Sequence, residues 1–279
     1  MAILLALCCA LAYGLSDFVG GLVSRRTSAW SVAVVAQLSS ALCMAAFALT
    51  LTGDPAPVHF LWGALAGVAG GAGTGFLYRG FAAGRMSVVA PVSGVGAALV
   101  PVVVGSLGGE RLTLLVWLGI VCALPGIWLV STGTGATTTS AGGGGSGVVD
   151  GTLAGLGFGA LFALLGQIPD SAGMWPLALT QCVAIPAVVL LATAVRSAWV
   201  PRGRYVWWAL VAGPLGAAAT ATFLVASQLG FLTVTGVLAS LYPASTVLLA
   251  AVVLREKIHP AQGIGLGLCA VAIALVAGG

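Results

Sequence analysis

Ten apolar runs dominate the chain, at roughly 2–23, 31–52, 58–83, 87–107, 112–132, 150–168, 174–195, 205–230, 233–254 and 261–278. Each approaches or exceeds the 20 or so residues a helix needs to cross the hydrocarbon core of a bilayer. Hydrophobic residues make up 60% of the 279 and charged residues only 6%, whereas soluble domains carry about a quarter charged residues. The fold class expected is therefore an all-α polytopic membrane protein with ten transmembrane helices. The first run lacks a basic leader and is long enough to span, so it is read as the first helix rather than a signal peptide.

Between the fifth and sixth runs lies TGTGATTTSAGGGGSGVVD, whose Gly, Ser and Thr content is that of a flexible linker. It divides the chain into a first five-helix repeat, 1–132, a linker, 133–149, and a second five-helix repeat, 150–279. The halves align without a gap at a separation of 146 residues. That register matches Trp62 to Trp208, Gly67 to Gly213, Gly70 to Gly216, Thr74 to Thr220, Gly84 to Gly230 and Glu110 to Glu256. An odd number of spans per copy makes the second copy enter from the opposite side, an inverted repeat.

Basic residues are placed asymmetrically. Arg25, Arg26, Arg85, Arg196, Arg202, Arg204, Arg255 and Lys257 fall in the loops after the first, third, seventh and ninth runs, and Arg79 lies near the same end of the third. The other side has only Arg111. The positive-inside rule puts those four loops in the cytoplasm and both termini outside. These charges are topology signals, with no basic face of the kind nucleic acid requires.

In the third run, Gly63, Gly67, Gly71 and Gly75 recur every four residues and expose a stripe of nearly bare backbone. Such small-residue ridges let helices pack closely in lipid. Gly213 occupies the matching stripe of the eighth run, which makes the two spans symmetry partners expected to flank one cavity.

Catalytic signatures are missing: no HExxH or GxSxG occurs, and His59 and His259 sit far apart in loops. The linker glycines lack the Lys-Ser/Thr of a phosphate loop. Cys8, Cys9, Cys43, Cys122, Cys182 and Cys269 all lie in apolar runs without CxxC spacing, and read as small core residues rather than disulfides or metal ligands. No enzyme, cofactor or metal site is expected.

Ionisable groups within spans carry more information, because charge in hydrocarbon costs about 2.5–3.5 kcal/mol on insertion scales. Asp17 and Arg79 lie at similar depth near the cytoplasmic ends of the first and third spans, so a pair between them is expected. Two readings stand: a gate or proton- and substrate-responsive site, or a structural pair at the interface. Neutral polar residues within spans form a second tier, among them Tyr13, Ser16, Gln37, Tyr78, Ser93, Gln181, Gln228, Ser240 and Tyr242. Tyr13, one turn from Asp17, and Tyr242, beside Pro243, are the most natural cavity-lining groups. Pro91, Pro101, Pro125, Pro186, Pro214 and Pro243 can kink their helices.

Taken together, the duplicated ten-span plan, the opening LAYGLSDFVGGLVSRR and the Glu110-Arg111 and Glu256-Lys257 endings of the fourth and ninth runs resemble the EamA-type branch of the drug/metabolite transporter superfamily. The sequence departs from the family's opening motif at Tyr13, where Trp is usual, at Asp17, where Asn is usual, and at Arg25-Arg26, where Lys is usual. The resemblance implies a basket of inverted repeats, with spans 1, 3, 4, 6, 8 and 9 around a cavity and spans 5 and 10 peripheral. It also implies movement of small metabolites or drugs, driven by an ion gradient or by exchange.

The function expected is secondary-active transport, export being the favoured direction, with the two repeats rocking around the cavity. A small-molecule substrate, the lipid bilayer and a coupling proton are the expected partners, in a monomer or homodimer of a bacterial plasma (inner) membrane. The competing reading is a non-transporting membrane scaffold or subunit.

Overall fold

The computed structural model describes residues 1–51, 53–83, 86–131, 144–253 and 258–279. All regular elements among them are helical: α1 (Ala2–Ser24), α2 (Ala29–Ala48), α3 (Pro57–Ala82), α4 (Met86–Leu107), α5 (Leu114–Ser131), α6 (Gly144–Leu165), α7 (Trp175–Ala194), α8 (Ala212–Leu229), α9 (Leu232–Ala239), α10 (Tyr242–Val253) and α11 (Pro260–Gly278). Short 3₁₀ turns precede α7, at Asp170–Ala172, and lead directly into α8, at Tyr205–Val211. With that lead-in joined to α8, and α9 joined to α10, nine helical segments of the described chain are long and apolar enough to cross a membrane. The apolar stretch Leu114–Val130 of α5 is a shorter tenth.

Local chemistry explains several boundaries. Proline occupies the first helical turn of α3 and α11, where its missing N–H costs nothing. At the start of α3 the His59 imidazole accepts the Ala56 N–H at 3.1 Å, and at the start of α11 the Gln262 side chain accepts the His259 N–H at 2.8 Å. His59 is thus a helix cap rather than a loop residue.

The ninth span differs from the single run read in the sequence. It breaks between Ala239 and Tyr242, where the Ser240 N–H and hydroxyl both return to the Gly236 carbonyl, at 3.0 and 2.7 Å. Pro243 has no N–H to continue the ladder through this point. Helix α6 also starts earlier than expected. Gly144 to Val149 belong to it although their composition is that of a linker, because packing of α6 along α3 and α4 outweighs the weak helix propensity of glycine and serine. Residues 132–143 of the expected linker region, together with Gly84, Arg85, Arg255, Glu256 and Lys257, lie outside the described residues.

The internal duplication is visible in the elements: α2 and α7 begin and end exactly one 146-residue offset apart. Packing repeats as well. Helix α3 lies chiefly on α6 and α7, and its counterpart α8 lies chiefly on α1 and α2; α4 packs on α6, and the α9/α10 span packs on α1. Most helix packing therefore runs between the halves rather than within them, and neither half forms a body of its own. Two mixed bundles result, one of α1, α2, α8, α9 and α10 and the other of α3, α4, α6 and α7, and they meet where α2 packs on α7 and α9 on α4. Helices α5 and α11 pair with each other beside them, the peripheral place that the family resemblance implies for the fifth and tenth spans.

Large apolar side chains cover the outside, including Leu42, Leu190, Val252 and Trp208. A continuous apolar surface of this kind is stable only against lipid. Cys8, Cys43 and Cys182 belong to that outer surface rather than to the core, while Cys9 and Cys269 are buried.

Candidate functional site

The glycine stripe of α3 is a helix-packing surface in the strict sense. A Cβ added at Gly63 or Gly67 would overlap the carbonyl oxygen of Pro176 or Thr180, and one at Gly71 would lie 2.7 Å from that of Ala184. These three carbonyls recur every four residues along α7, so ridge meets ridge. Thr180 reinforces the contact by donating its hydroxyl to the Gly63 carbonyl at 2.9 Å. Gly75 meets a different neighbour, the indole of Trp30 in α2. Gly213 packs against Ala36 and Ser39 of the same helix.

Beside this close packing lies a cavity. Gly67, Gly70, Thr74 and Tyr78 of α3 face it, and so do Gly213, Gly216 and Thr220 of α8. All three of the pairs 67/213, 70/216 and 74/220 are 146 residues apart, so the pseudo-twofold relation runs through the cavity. Helix α1 contributes Tyr13, Ser16 and Asp17, which the three-to-four-residue spacing of a helix puts on one face. Phe158 and Leu161 of α6 face the same space, as do Gln37 and Ser40 of α2 and Thr180 and Gln181 of α7. The empty volume is ≈ 510 Å³, its opening to the outside included. Helices α2 and α7 thus join the lining, and neither α4 nor the α9/α10 span contributes to it among the described residues. This departs from the set of spans that the family resemblance implies, because the glycine ridge draws α7 against α3.

The walls are polar but neutral except at one point. The Gln37 amide donates to the Thr74 hydroxyl at 3.4 Å, and the Gln181 amide donates to that of Thr220 at 2.9 Å. Each copy therefore places a Gln–Thr pair at the cavity, although the two glutamines are two residues out of register. Ser16 donates to the Ala212 carbonyl at 3.0 Å and ties α1 to α8.

Asp17 is the exception. It is 5% exposed, borders the cavity, and has neither a hydrogen bond nor an ion pair with any described residue. The expected pairing with Arg79 does not occur. Arg79 instead donates from Nε to Oδ1 of Asp150 at 2.8 Å, with a second contact from its Nη2, and its guanidinium stacks over the Phe76 ring. One helical position separates the two outcomes. Tyr78, the residue before Arg79, turns its ring to α1, where its hydroxyl fills the space beside Gly20, so Arg79 points about 100° away, towards α6.

Behind Asp17 stands an aromatic cluster. The ring centroid of Tyr13 lies 6.2 Å from that of Phe158, 5.9 Å from that of Phe162 and 6.4 Å from that of Tyr242. Tyr242 sits there because the ninth span restarts at this residue, and its hydroxyl is bonded to Ser93 of α4. The hydroxyl of Tyr13 is buried with no partner among the described residues. Ser93 and Tyr242 thus support the cavity wall from behind. Gln228 does not join them: it donates to the Ile168 carbonyl at 3.1 Å, at a separate hollow lined by residues 166–170.

Glu110, a loop residue between α4 and α5, acts as a helix cap. Its carboxylate accepts the Leu232 and Thr233 N–H groups at 2.6 and 3.0 Å, capping α9 from across the repeat boundary. The signal that could have found it is the Glu110/Glu256 match, since a carboxylate suits the positive N-terminal end of a helix.

A duplicated bundle of apolar helices around a cavity lined by residues of both copies defines a polytopic membrane protein of transporter architecture. The EamA-like transporter family matches residues 1–132 and 145–278, and the chain belongs to that family, within the drug/metabolite transporter superfamily. One protein of known crystal structure superposes with a TM-score of 0.75 over 98% of this chain and 95% of its own, at 18% identity, and shares the fold. No curated protein matches the chain.

Proposed function

We propose that the protein is a secondary-active transporter that moves small metabolites or drugs across the plasma membrane by alternating access, with export as its direction. The observation that carries this reading is the cavity itself, lined by symmetry-matched residues of both repeats and bordered by an unpartnered carboxyl group. A scaffold or structural subunit gains nothing from such a site, since a buried polar group without a hydrogen bond costs stability. The rocking bodies in this reading are the two mixed bundles rather than the two sequence halves, because each half is interleaved with the other. Gln37–Thr74 and Gln181–Thr220 lie at the cavity where those bundles face one another.

The test is two-sided access. In a cysteine-free background, a single cysteine replacing Thr74 is exposed to a small membrane-impermeant thiol reagent from one face of the membrane and then, separately, from the other. Alternating access predicts reaction from both faces. Absence of reaction from either face, in a protein that is folded and inserted, overturns the transporter reading in favour of the scaffold.

A further inference from the structure

We infer that the cavity selects organic cations, with Asp17 as the counter-charge and Tyr13, Tyr78 and Phe158 as the aromatic wall. This rests on the transporter reading only in calling the ligand a substrate; the recognition itself stands on the cavity. Asp17 is buried, faces the empty space and takes no hydrogen bond or ion pair from any described residue. Arg79, the basic residue of α3, is held by Asp150.

A carboxylate in this position lacks exactly what a cationic ligand brings. Removing both charges from water is offset only when the two meet, so the site favours a ligand that carries its positive charge to Asp17. The three rings bordering the same space add a second attraction, since aromatic faces draw ammonium groups by their quadrupoles. The rest of the lining discriminates by what it lacks: Gln37, Thr74, Gln181 and Thr220 are neutral, and no described Lys or Arg borders the cavity to receive a carboxylate or phosphate. The ligand class is thus a small amine or quaternary ammonium whose uncharged hydrogen-bonding groups reach the Gln–Thr pairs.

Three probes of nearly equal shape separate charge from size: choline, its neutral analogue 3,3-dimethylbutan-1-ol, and the anion 3,3-dimethylbutanoate. Binding is measured on the purified full-length protein by ligand-induced thermal stabilisation and by titration calorimetry. Choline is expected to bind at least about tenfold more tightly than the neutral analogue, in line with a desolvated cation–π and charge contribution. The anion is expected to bind no better than the neutral analogue. In Asp17→Asn, which keeps the side-chain shape, the preference falls to within about twofold.

A wild-type protein that binds choline no more tightly than 3,3-dimethylbutan-1-ol overturns the inference, and so does an Asp17→Asn variant that keeps the full preference. The wild-type comparison needs no variant to fold. Because these measurements need no membrane gradient, a cation preference without two-sided access refutes transport and leaves the site standing. Two-sided access without a cation preference does the reverse.

Discussion

Arg79 and Asp150 are joined across α3 and α6, Nε to Oδ1 at 2.8 Å, with the guanidinium laid over the Phe76 ring 4.7 Å from its centroid. The pair clamps two helices of one mixed bundle near the end where α3 finishes and α6 begins. It also leaves the one carboxylate facing the cavity uncompensated, so the ionic chemistry of the site follows from which acid Arg79 reaches.

Breaking the pair exposes its structural share. The side chains of Arg79 and Asp150 are 33% and 3% exposed, so Arg79→Gln removes the cationic partner of a buried acid, while partial solvent contact tempers the loss. Arg79→Gln is expected to lower stability by about 1–3 kcal/mol. Thermal unfolding in detergent of both single variants and of Arg79→Gln with Asp150→Asn checks this, the double variant being more stable than the sum of the singles requires.

Two glycines on adjoining faces predict opposite outcomes. At Gly71 an added Cβ lies 2.7 Å from the Ala184 carbonyl oxygen, whereas at Gly216 the nearest atom within 4 Å is the Ser16 hydroxyl oxygen at 3.7 Å. Gly71→Leu is expected to prevent assembly, since the backbone of α7 cannot yield locally and overpacking costs about 1–3 kcal/mol or more. Gly216→Ala is expected to fold normally and narrow the cavity. Monodisperse yield and melting temperature of the two proteins distinguish them.

Glu110 predicts a local effect. Glu110→Ala removes the acceptor for two N–H groups at the start of α9, a capping loss of about 1 kcal/mol. Amide hydrogen exchange at Leu232 and Thr233 is expected to accelerate, while exchange in the middle of α3 stays as in the parent.

The Gln181–Thr220 bond predicts coupling across α7 and α8. Gln181→Leu and Thr220→Val are each expected to destabilise, with an interaction energy of about 0.6 kcal/mol, the average for polar pairs between transmembrane helices, and no more than about 1.7. A double-mutant cycle on melting measures it. Additivity within error would show that the bond at 2.9 Å contributes nothing net.

Much of this protein is legible along the chain because its solvent is lipid. Apolar runs of spanning length, loop charges and the Trp62/Trp208 register lead to ten spans and two copies without any knowledge of contacts. The register also anticipated that α3 and α8 would share a cavity, since symmetry-related glycines and threonines carry that information themselves. The site was less legible. Asp17 and Tyr13 stand out as polar groups in apolar helices, but Gln37 and Gln181 could equally have bonded outside the cavity, and Gln228 does. The role of Glu110 was hidden because its partners are backbone N–H groups, which every residue but proline carries.

Hydropathy, spacing and repeat register are properties of one stretch of chain, and they determined the class, the number of copies and the small-residue face of α3. Partner choice belongs to the packed molecule. Only the tertiary structure decided that the halves interleave into mixed bundles, that the ninth span breaks before Tyr242, and that Arg79 meets Asp150 rather than Asp17. The physical reason is geometric: residues on a helix differ by about 100° in direction per position, so which of two acids an arginine reaches depends on which helix its face is packed against.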